Sequence, residues 1–330
     1  MTTVFITGGA GFIGAALSKR LLDDGMTVIG LDNLNNYYDV KIKNARLEKL
    51  GEYKNYTFIK KDMADKECVE KIFSEYKPEY VVNLGAQAGV RYSIENPQAY
   101  IDSNITGFFN ILEACRHHPV KHLVFASSSS VYGANTKIPY SVEDKVDFPV
   151  SLYAATKKSN ELFAHAYSKL YGIACTGLRF FTVYGPMGRP DMAYFSFTSR
   201  MLNRQPIRVF NYGDMYRDFT YIDDIIDCVQ RIVYVPPKEC SSGAQYKIYN
   251  IGNNHPESLM VFIETLEKSL MKHGMIAGPC QKEFLPMQPG DVYQTYADVD
   301  ELVKDFHFKP DTPLEKGLDA FVTWYKGFYA

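Results

Sequence analysis

The chain has no surplus of one charge sign, no paired cysteines and no long uninterrupted apolar run, and each absence removes a class of function. Lys and Arg number 36 against 38 Asp and Glu, a net charge of -2. That leaves no basic footprint of the kind a nucleic-acid backbone requires, so nucleic acid is not an expected partner. The six cysteines (Cys68, Cys115, Cys175, Cys228, Cys240, Cys280) are scattered, form no Cys-x-x-Cys pair and mostly stand in apolar runs. They read as reduced thiols of a cytoplasmic protein. Met1-Thr-Thr runs into an apolar strand without a positively charged leader, and Gly8, Gly9, Gly11 and Gly14 interrupt the apolar stretch there. Neither an export signal nor a membrane span is expected. His117-His118 lacks a Cys, Asp or Glu cluster to complete a ligand set, so no metal site is expected. Low-complexity segments and internal repeats are not evident either.

What is present is alternation. Short branched apolar runs at Val4-Phe5-Ile6, Thr27-Val28-Ile29, Phe58-Ile59, Tyr80-Val81-Val82, Leu123-Val124-Phe125 and Cys175 to Phe180 have the length and composition of buried parallel strands. Between them Val69, Ile72, Phe73 and Tyr76, and then Ile101, Ile105, Phe108, Phe109 and Leu112, recur at helical spacing. The expected fold is α/β, a Rossmann-type doubly wound parallel sheet with a smaller C-terminal substrate-binding domain. Residues 1–182 form the dinucleotide-binding part. After Gly185-Pro186 prolines divide shorter elements, and 183–330 read mainly as the substrate domain, with 219–252 returning to the sheet.

Strand Val4 to Thr7 leads into Gly8-Gly-Ala-Gly11-Phe-Ile-Gly14, glycines that permit a tight turn, close approach of backbone to a pyrophosphate, and packing of helix on strand. The next strand ends at Asp32, placed to grip ribose hydroxyls. An acid there repels a 2′-phosphate and Asn33 follows it where an Arg would suit one, so NAD is expected rather than NADP. Asp62, after the third strand, is a further candidate for the adenosine end.

Tyr-x-x-x-Lys occurs four times among 25 tyrosines, so context must choose. Tyr153 opens the helical stretch Tyr153 to Leu170 and has Lys157 on the same face, where an ammonium lowers a phenol's pKa toward use as a base. Strand Leu123 to Ala126 ends in Ser127-Ser-Ser-Ser130-Val-Tyr-Gly, which puts hydroxyls at the carboxyl edge of the sheet, where ligands of open α/β folds bind. Glycine cradle, acid, serines and Tyr/Lys in this order make an oxidoreductase site.

Over essentially its whole length the chain resembles the extended short-chain dehydrogenase/reductase superfamily, through Thr7-Gly-Gly-Ala-Gly-Phe-Ile-Gly14, Ser127-Ser-Ser-Ser-Val-Tyr-Gly133 and Tyr153-Ala-Ala-Thr-Lys157. Its finer resemblance is to UDP-glucuronate 4-epimerases. That likeness is carried by Asp32-Asn-Leu-Asn-Asn-Tyr-Tyr-Asp39, Ala86-Gln-Ala-Gly-Val-Arg-Tyr-Ser93, Leu178-Arg-Phe-Phe-Thr-Val-Tyr-Gly-Pro186 and Gly188-Arg-Pro-Asp-Met192. The resemblance implies Tyr153 as base, Lys157 as its helper and Ser128 as the hydroxyl on the reacting oxygen. It places NAD contacts at Gly8, Gly11, Phe12, Ile13, Gly14, Asp32, Asn33, Asn35, Asp62, Met63, Leu84, Ala86, Asn104, Tyr153, Lys157 and Phe180. UDP-sugar contacts fall at Ser128, Ser129, Ser130, Tyr153, Thr182, Arg189, Arg208, Arg217 and Asp291, with Arg91, Arg189 and Thr182 as candidates for a sugar carboxylate.

The implied reaction oxidises C4 of UDP-glucuronate to a transient 4-keto sugar and reduces it on the other face to UDP-galacturonate, so that NAD is recycled. The alternative is a 4-epimerase of neutral UDP-hexoses (glucose or N-acetylglucosamine). Related decarboxylases and dehydratases carry a carboxylate just before Val-Tyr-Gly, where this chain has Ser130. A non-catalytic NAD sensor would have no use for Tyr153, Lys157 and Ser128 together. Relatives pair the apolar Tyr100 to Cys115 helix with the Tyr153 helix across a two-fold axis, so a homodimer is expected.

Overall fold

The computed structural model of the protein describes residues 2–288 and 291–329. Its strands are β1 (Thr3–Thr7), β2 (Thr27–Asp32), β3 (Tyr56–Lys60), β4 (Tyr80–Asn83), β5 (His122–Ser128), β6 (Cys175–Phe180), β7 (Thr182–Tyr184), β8 (Ile207–Phe210), β9 (Tyr216–Tyr221), β10 (Tyr246–Ile251), β11 (Pro256–Ser258) and β12 (Lys282–Leu285). Seven form one sheet in the order β10-β6-β5-β4-β1-β2-β3, and every pairing in it is parallel. This is the Rossmann-like doubly wound sheet.

Burial explains the sheet's composition. Successive side chains of a strand face opposite ways, and both faces are covered, so the alternate residues of one strand enter different cores. Val4 and Ile6 join Val28, Val82 and Val124 beneath Leu17, Leu21, Ile225 and Val229 of the helices Phe12–Asp23 and Ile222–Val233. Phe5 joins Ile29, Val81 and Leu123 beneath Ile72, Phe73, Ile111 and Leu112 of Lys66–Tyr76 and Phe108–His117. The long helix Leu152–Tyr171 lies on this second side.

β1 pairs with β2 on one flank and β4 on the other. The chain therefore winds outward in both directions from β1, and a crevice opens at the carboxyl ends where it diverges. β10, far along the chain, pairs with β6 and closes the sheet's other end.

The remaining strands form small sheets, β11-β9-β7 and β12-β8, over a third core of Tyr184, Tyr194, Phe195, Phe219, Phe262 and Phe321. In it the Phe219 and Phe262 rings stack at 4.2 Å. The helices Ala193–Leu202, Leu259–Lys272 and Leu314–Tyr329 enclose this layer.

The segment expected as one helix across residues 100–115 is interrupted. A short helix Pro97–Tyr100 is followed by a π-helical stretch Ile101–Gly107 before Phe108–His117 begins. A widened turn displaces backbone groups from their usual partners. Here Asn160 donates to the Asn104 carbonyl at 2.7 Å, so the irregularity is held by the neighbouring helix.

Candidate active site

The crevice beside β1 is lined by the glycine turn, by the ends of β2 and β4, and by the start of the Leu152–Tyr171 helix. Its floor is backbone at close quarters. Gly8 has φ +70°, and a Cβ there would stand 2.8 Å from the Gly85 nitrogen; a Cβ on Gly14 would fall on the Gly8 carbonyl oxygen. Only glycine permits this turn, which brings the N-terminus of the following helix, with its first N–H groups, to the cleft where a pyrophosphate would lie. Asp32 accepts from the Ala10 and Leu34 N–H groups at 3.2 and 2.9 Å, and Asn33 reaches Asp62 at 2.7 Å. A shallow cradle followed by a carboxylate at the strand end fits a dinucleotide with free ribose hydroxyls.

At the other end of this cleft lie Ser128, Tyr153, Lys157 and Arg189. Ser151 caps the long helix by accepting from the Ala154 N–H at 3.1 Å, which fixes where the helix begins and so where Tyr153 stands. Burial holds the Tyr153 phenol above its ordinary pKa, and the nearby Ser128 side chain and the Arg189 charge offset that only in part; the Ser128 hydroxyl donates to Ser130 at 3.1 Å. Lys157 is 2 % exposed, donates to the Ala126 carbonyl at 2.9 Å, and is brought down to about 8 by burial. The expected lowering of the phenol by Lys157 is not found in this state, where the phenol stays above its ordinary pKa. The lysine itself is tied to the strand.

Arg189 is gripped by Asp191 through Nε and Nη2 at 3.0 and 2.5 Å, and Tyr37 donates to the same carboxylate at 3.2 Å. Burial disfavours the guanidinium charge, but Asp191 outweighs it and holds Arg189 above its ordinary pKa.

A second, smaller cleft adjoins the serines. Ser129, Ser130, Thr182, Arg217 and Asp291 line it with Tyr140 and Thr295. Arg217 donates to the carbonyls of Val292 and Tyr293 at 2.8 and 3.1 Å, and burial lowers its pKa. Arg91 pairs with Asp291 at 2.8 Å, its guanidinium lying 4.6 Å from the Phe210 ring centroid.

Nearly all the residues expected at the site therefore converge. Gly8, Gly11, Phe12, Ile13, Gly14, Asp32, Asn33, Asn35, Asp62, Met63, Leu84, Ala86 and Phe180 line the first cleft with the catalytic candidates. Three residues line neither cleft, among them Arg91, which is exposed and held against Asp291. Asn104 is buried behind the wall, bonded to the N–H and C=O of Gln87 and to the Thr156 hydroxyl, and Gln87 is what faces the cleft. Arg208 is exposed on β8 and pairs with Glu283 at 3.6 Å.

Sequence reasoning passed over Lys43, Tyr37 and Asp191. Lys43 is buried 3.6 Å from Asp32 and donates to Asn35, but nothing in its helix of scattered lysines sets it apart. Asp191 stood inside the Gly188 to Met192 segment, and its spacing from Arg189 was the available signal.

Residues 4–252 match the family model described as the NAD dependent epimerase/dehydratase family. Protein CapI of Staphylococcus aureus is 53% identical, with 99% of both chains covered. A probable UDP-glucuronate 4-epimerase of Rhizobium meliloti is 44% identical, covering 98% of this chain and 97% of the relative. The crystal structure of a UDP-glucuronic acid 4-epimerase from Bacillus cereus, in complex with UDP-glucuronic acid and NAD, superposes with a TM-score of 0.89 at 32% identity, over 99% of this chain and 100% of that one. The chain belongs to the NAD dependent epimerase/dehydratase family, within the extended short-chain dehydrogenase/reductases, and its cofactor is NAD.

Proposed function

We propose that the protein is an isomerase that interconverts UDP-glucuronate and UDP-galacturonate at C4. The observation that carries the reading is the convergence of Ser128, Tyr153 and a half-buried, charged Arg189 on one cleft, beside a second cleft lined by Arg217 and the serines. The relatives named as UDP-glucuronate 4-epimerases and the neighbour bound to UDP-glucuronic acid support it.

The chain's own residues divide the work. Tyr153 takes the proton of the sugar 4-hydroxyl and later returns it, while Ser128 donates to the C4 oxygen as it becomes a carbonyl. Bound NAD, held over the glycine turn and by Asp32, supplies the hydride acceptor and afterwards the donor at C4. Arg217 and its neighbours hold the UDP moiety, so that the oxidised sugar is retained while it presents its other face. The Arg189 Nη1 edge, left over from its pairing with Asp191, meets the sugar carboxylate. In this reading residues 1–182 and 219–252 serve NAD and the rest of the chain mainly serves the UDP-sugar.

One observation favours the second reading, a 4-epimerase of neutral UDP-hexoses: Asp191 already offsets the Arg189 charge. Incubation of the purified protein with UDP-glucuronate and, separately, UDP-glucose, without added nicotinamide, decides between them by chromatography and NMR. UDP-galacturonate formed without net NADH is the expected outcome. Conversion of UDP-glucose alone overturns the uronate assignment, and a pentose product indicates decarboxylation.

The reading extends to assembly. Ile101 and Phe109 on the 101–117 segment and Leu162 on the cleft helix Leu152–Tyr171 are exposed and supply apolar area for a two-fold pairing of like chains. A monomeric mass by light scattering removes the homodimer.

A further inference from the structure

Three successive residues of β5 are each met by a different turn of the helix Leu152–Tyr171. Spacing of four puts Tyr153, Lys157 and Glu161 on one helix face. Lys157 donates to the Ala126 carbonyl at 2.9 Å, the Ser127 hydroxyl donates to Glu161 at 2.7 Å, and Ser128, whose own hydroxyl donates to Ser130 at 3.1 Å, shares the first cleft with Tyr153. Glu161 is in turn gripped from β6 by Arg179, whose Nε and Nη2 stand 2.8 and 2.9 Å from its two oxygens. Both side chains are buried, at 3 and 2 % exposure. Arg179 has a further donor, Nη1, which reaches the Tyr132 hydroxyl at 3.0 Å. That hydroxyl donates onward to Asn250 at 2.7 Å, and Asn250 holds the Tyr140 and Asp298 carbonyls.

Ser127 and Tyr132 bracket the turn that carries Ser128, Ser129 and Ser130. One end of the turn is therefore tied to Glu161 and the other to Arg179, and the pair between them is the common anchor. Well-packed apolar side chains would join helix to sheet at least as favourably as a buried ion pair, which must repay the desolvation of both charges. What apolar packing lacks is direction: a bidentate guanidinium–carboxylate pair fixes distance and angle together.

We infer that the Glu161–Arg179 pair is a positioning device for the reaction, setting Ser128 against Tyr153 by fixing both ends of the serine turn. It touches neither cofactor nor sugar, and it acts through Ser127 and Tyr132. The inference rests on the proposed roles of Ser128 and Tyr153. It adds that the rate of the chemical step depends on two hydroxyls that line up the reacting groups.

Glu161→Ala strands a buried arginine and endangers folding, so the test uses Ser127→Ala and Tyr132→Phe, singly and together, in the full-length protein. Each deletes one hydroxyl and leaves the ion pair in place. The expected result is a fall in kcat on UDP-glucuronate of about tenfold for each and about 10²-fold for the double variant, since misplacements on the order of 1 Å at a reacting centre cost about that much. UDP affinity by calorimetry and NAD retained after gel filtration stay at the wild-type level. Glu161→Gln, which keeps an acceptor for Ser127, loses less kcat than Glu161→Ala if the latter folds. Wild-type kcat in the double variant, with only Tm reduced, overturns the inference and leaves the pair a structural one. Tyr153→Phe is run alongside: if it stays active, the base assignment itself is what fails.

Discussion

The two clefts meet at the serine turn but are made of different material. The first is built from neighbours in sequence: a strand, a glycine turn, a helix N-terminus and the ends of adjoining parallel strands, with backbone atoms facing the ligand. The second is assembled from Val90, the serines, Tyr140, Thr182, Arg217 and the 291–295 segment, pieces far apart in the chain and joined by side-chain bonds such as Arg91–Asp291. A backbone cradle tolerates few changes and serves one kind of ligand. A side-chain cradle is open to revision, which is where a family with one cofactor varies its sugar.

That difference is broken most sharply at the shared edge. Tyr153→Phe removes the proton acceptor and is expected to cut turnover by about 10³-fold, within the range of general acid–base contributions. NAD and UDP stay bound, as read by absorbance of the purified protein and by calorimetry. Near-normal turnover shows that another group is the base. Gly14→Ala strikes the first cleft alone. Its Cβ has no room beside the Gly8 carbonyl, so the turn must open and the purified variant is expected to carry little or no NAD while UDP affinity holds. Wild-type NAD content in Gly14→Ala means that the close approach is not needed.

The same contrast decides what could be read from the chain. The sheet was legible because each buried strand is a short branched apolar run covered on both faces, so Val4 to Ile6 and Cys175 to Phe180 announce themselves locally. Gly8 to Gly14 and Asp32 were legible because their turn, helix and strand follow one another. The break at Ile101–Gly107 was not, since the Asn160 amide that holds it belongs to another helix. Nor were most tethers of the arginines. That Arg217 faces carbonyls of 292 and 293 and that Arg208 turns outward are outcomes of tertiary packing, whereas Asp191, which holds Arg189, lies only two residues from it.

The second cleft is sharpened by Arg217. Arg217→Lys keeps a charge but loses the fork that joins two carbonyls and, in the proposed complex, a diphosphate. Loss of one charge-assisted contact corresponds to about ten- to a hundredfold in KM for UDP-glucuronate, with NAD content unaltered. A changed NAD content with unaltered KM reverses the assignment of the two clefts.

The smallest effect is in stability against pH, and it has opposite signs in the two regions. Lys157, behind the first cleft, is brought down by burial to about 8, whereas an unfolded lysine titrates near ~10.4. Between those values the unfolded chain binds more protons, so stability gains from this group as pH rises. Asp218 on β9, on the side of the second cleft, is raised by burial to about 6 although the N–H groups of Ala297, Asn253 and Asn254 favour its charge. An unfolded aspartate titrates near ~3.9. From there up to about 6 the folded chain binds more protons, so this group's contribution is full below ~4 and is lost as pH rises through about 6. In Tm scans against pH, Lys157→Met should fall behind the wild type on the alkaline side, where it lacks the lysine's gain. Asp218→Asn should improve relative to the wild type across the acid window. Parallel curves for either variant mean that its group titrates alike in both states, and a reversed sign for Asp218 means that the three N–H donors outweigh its burial.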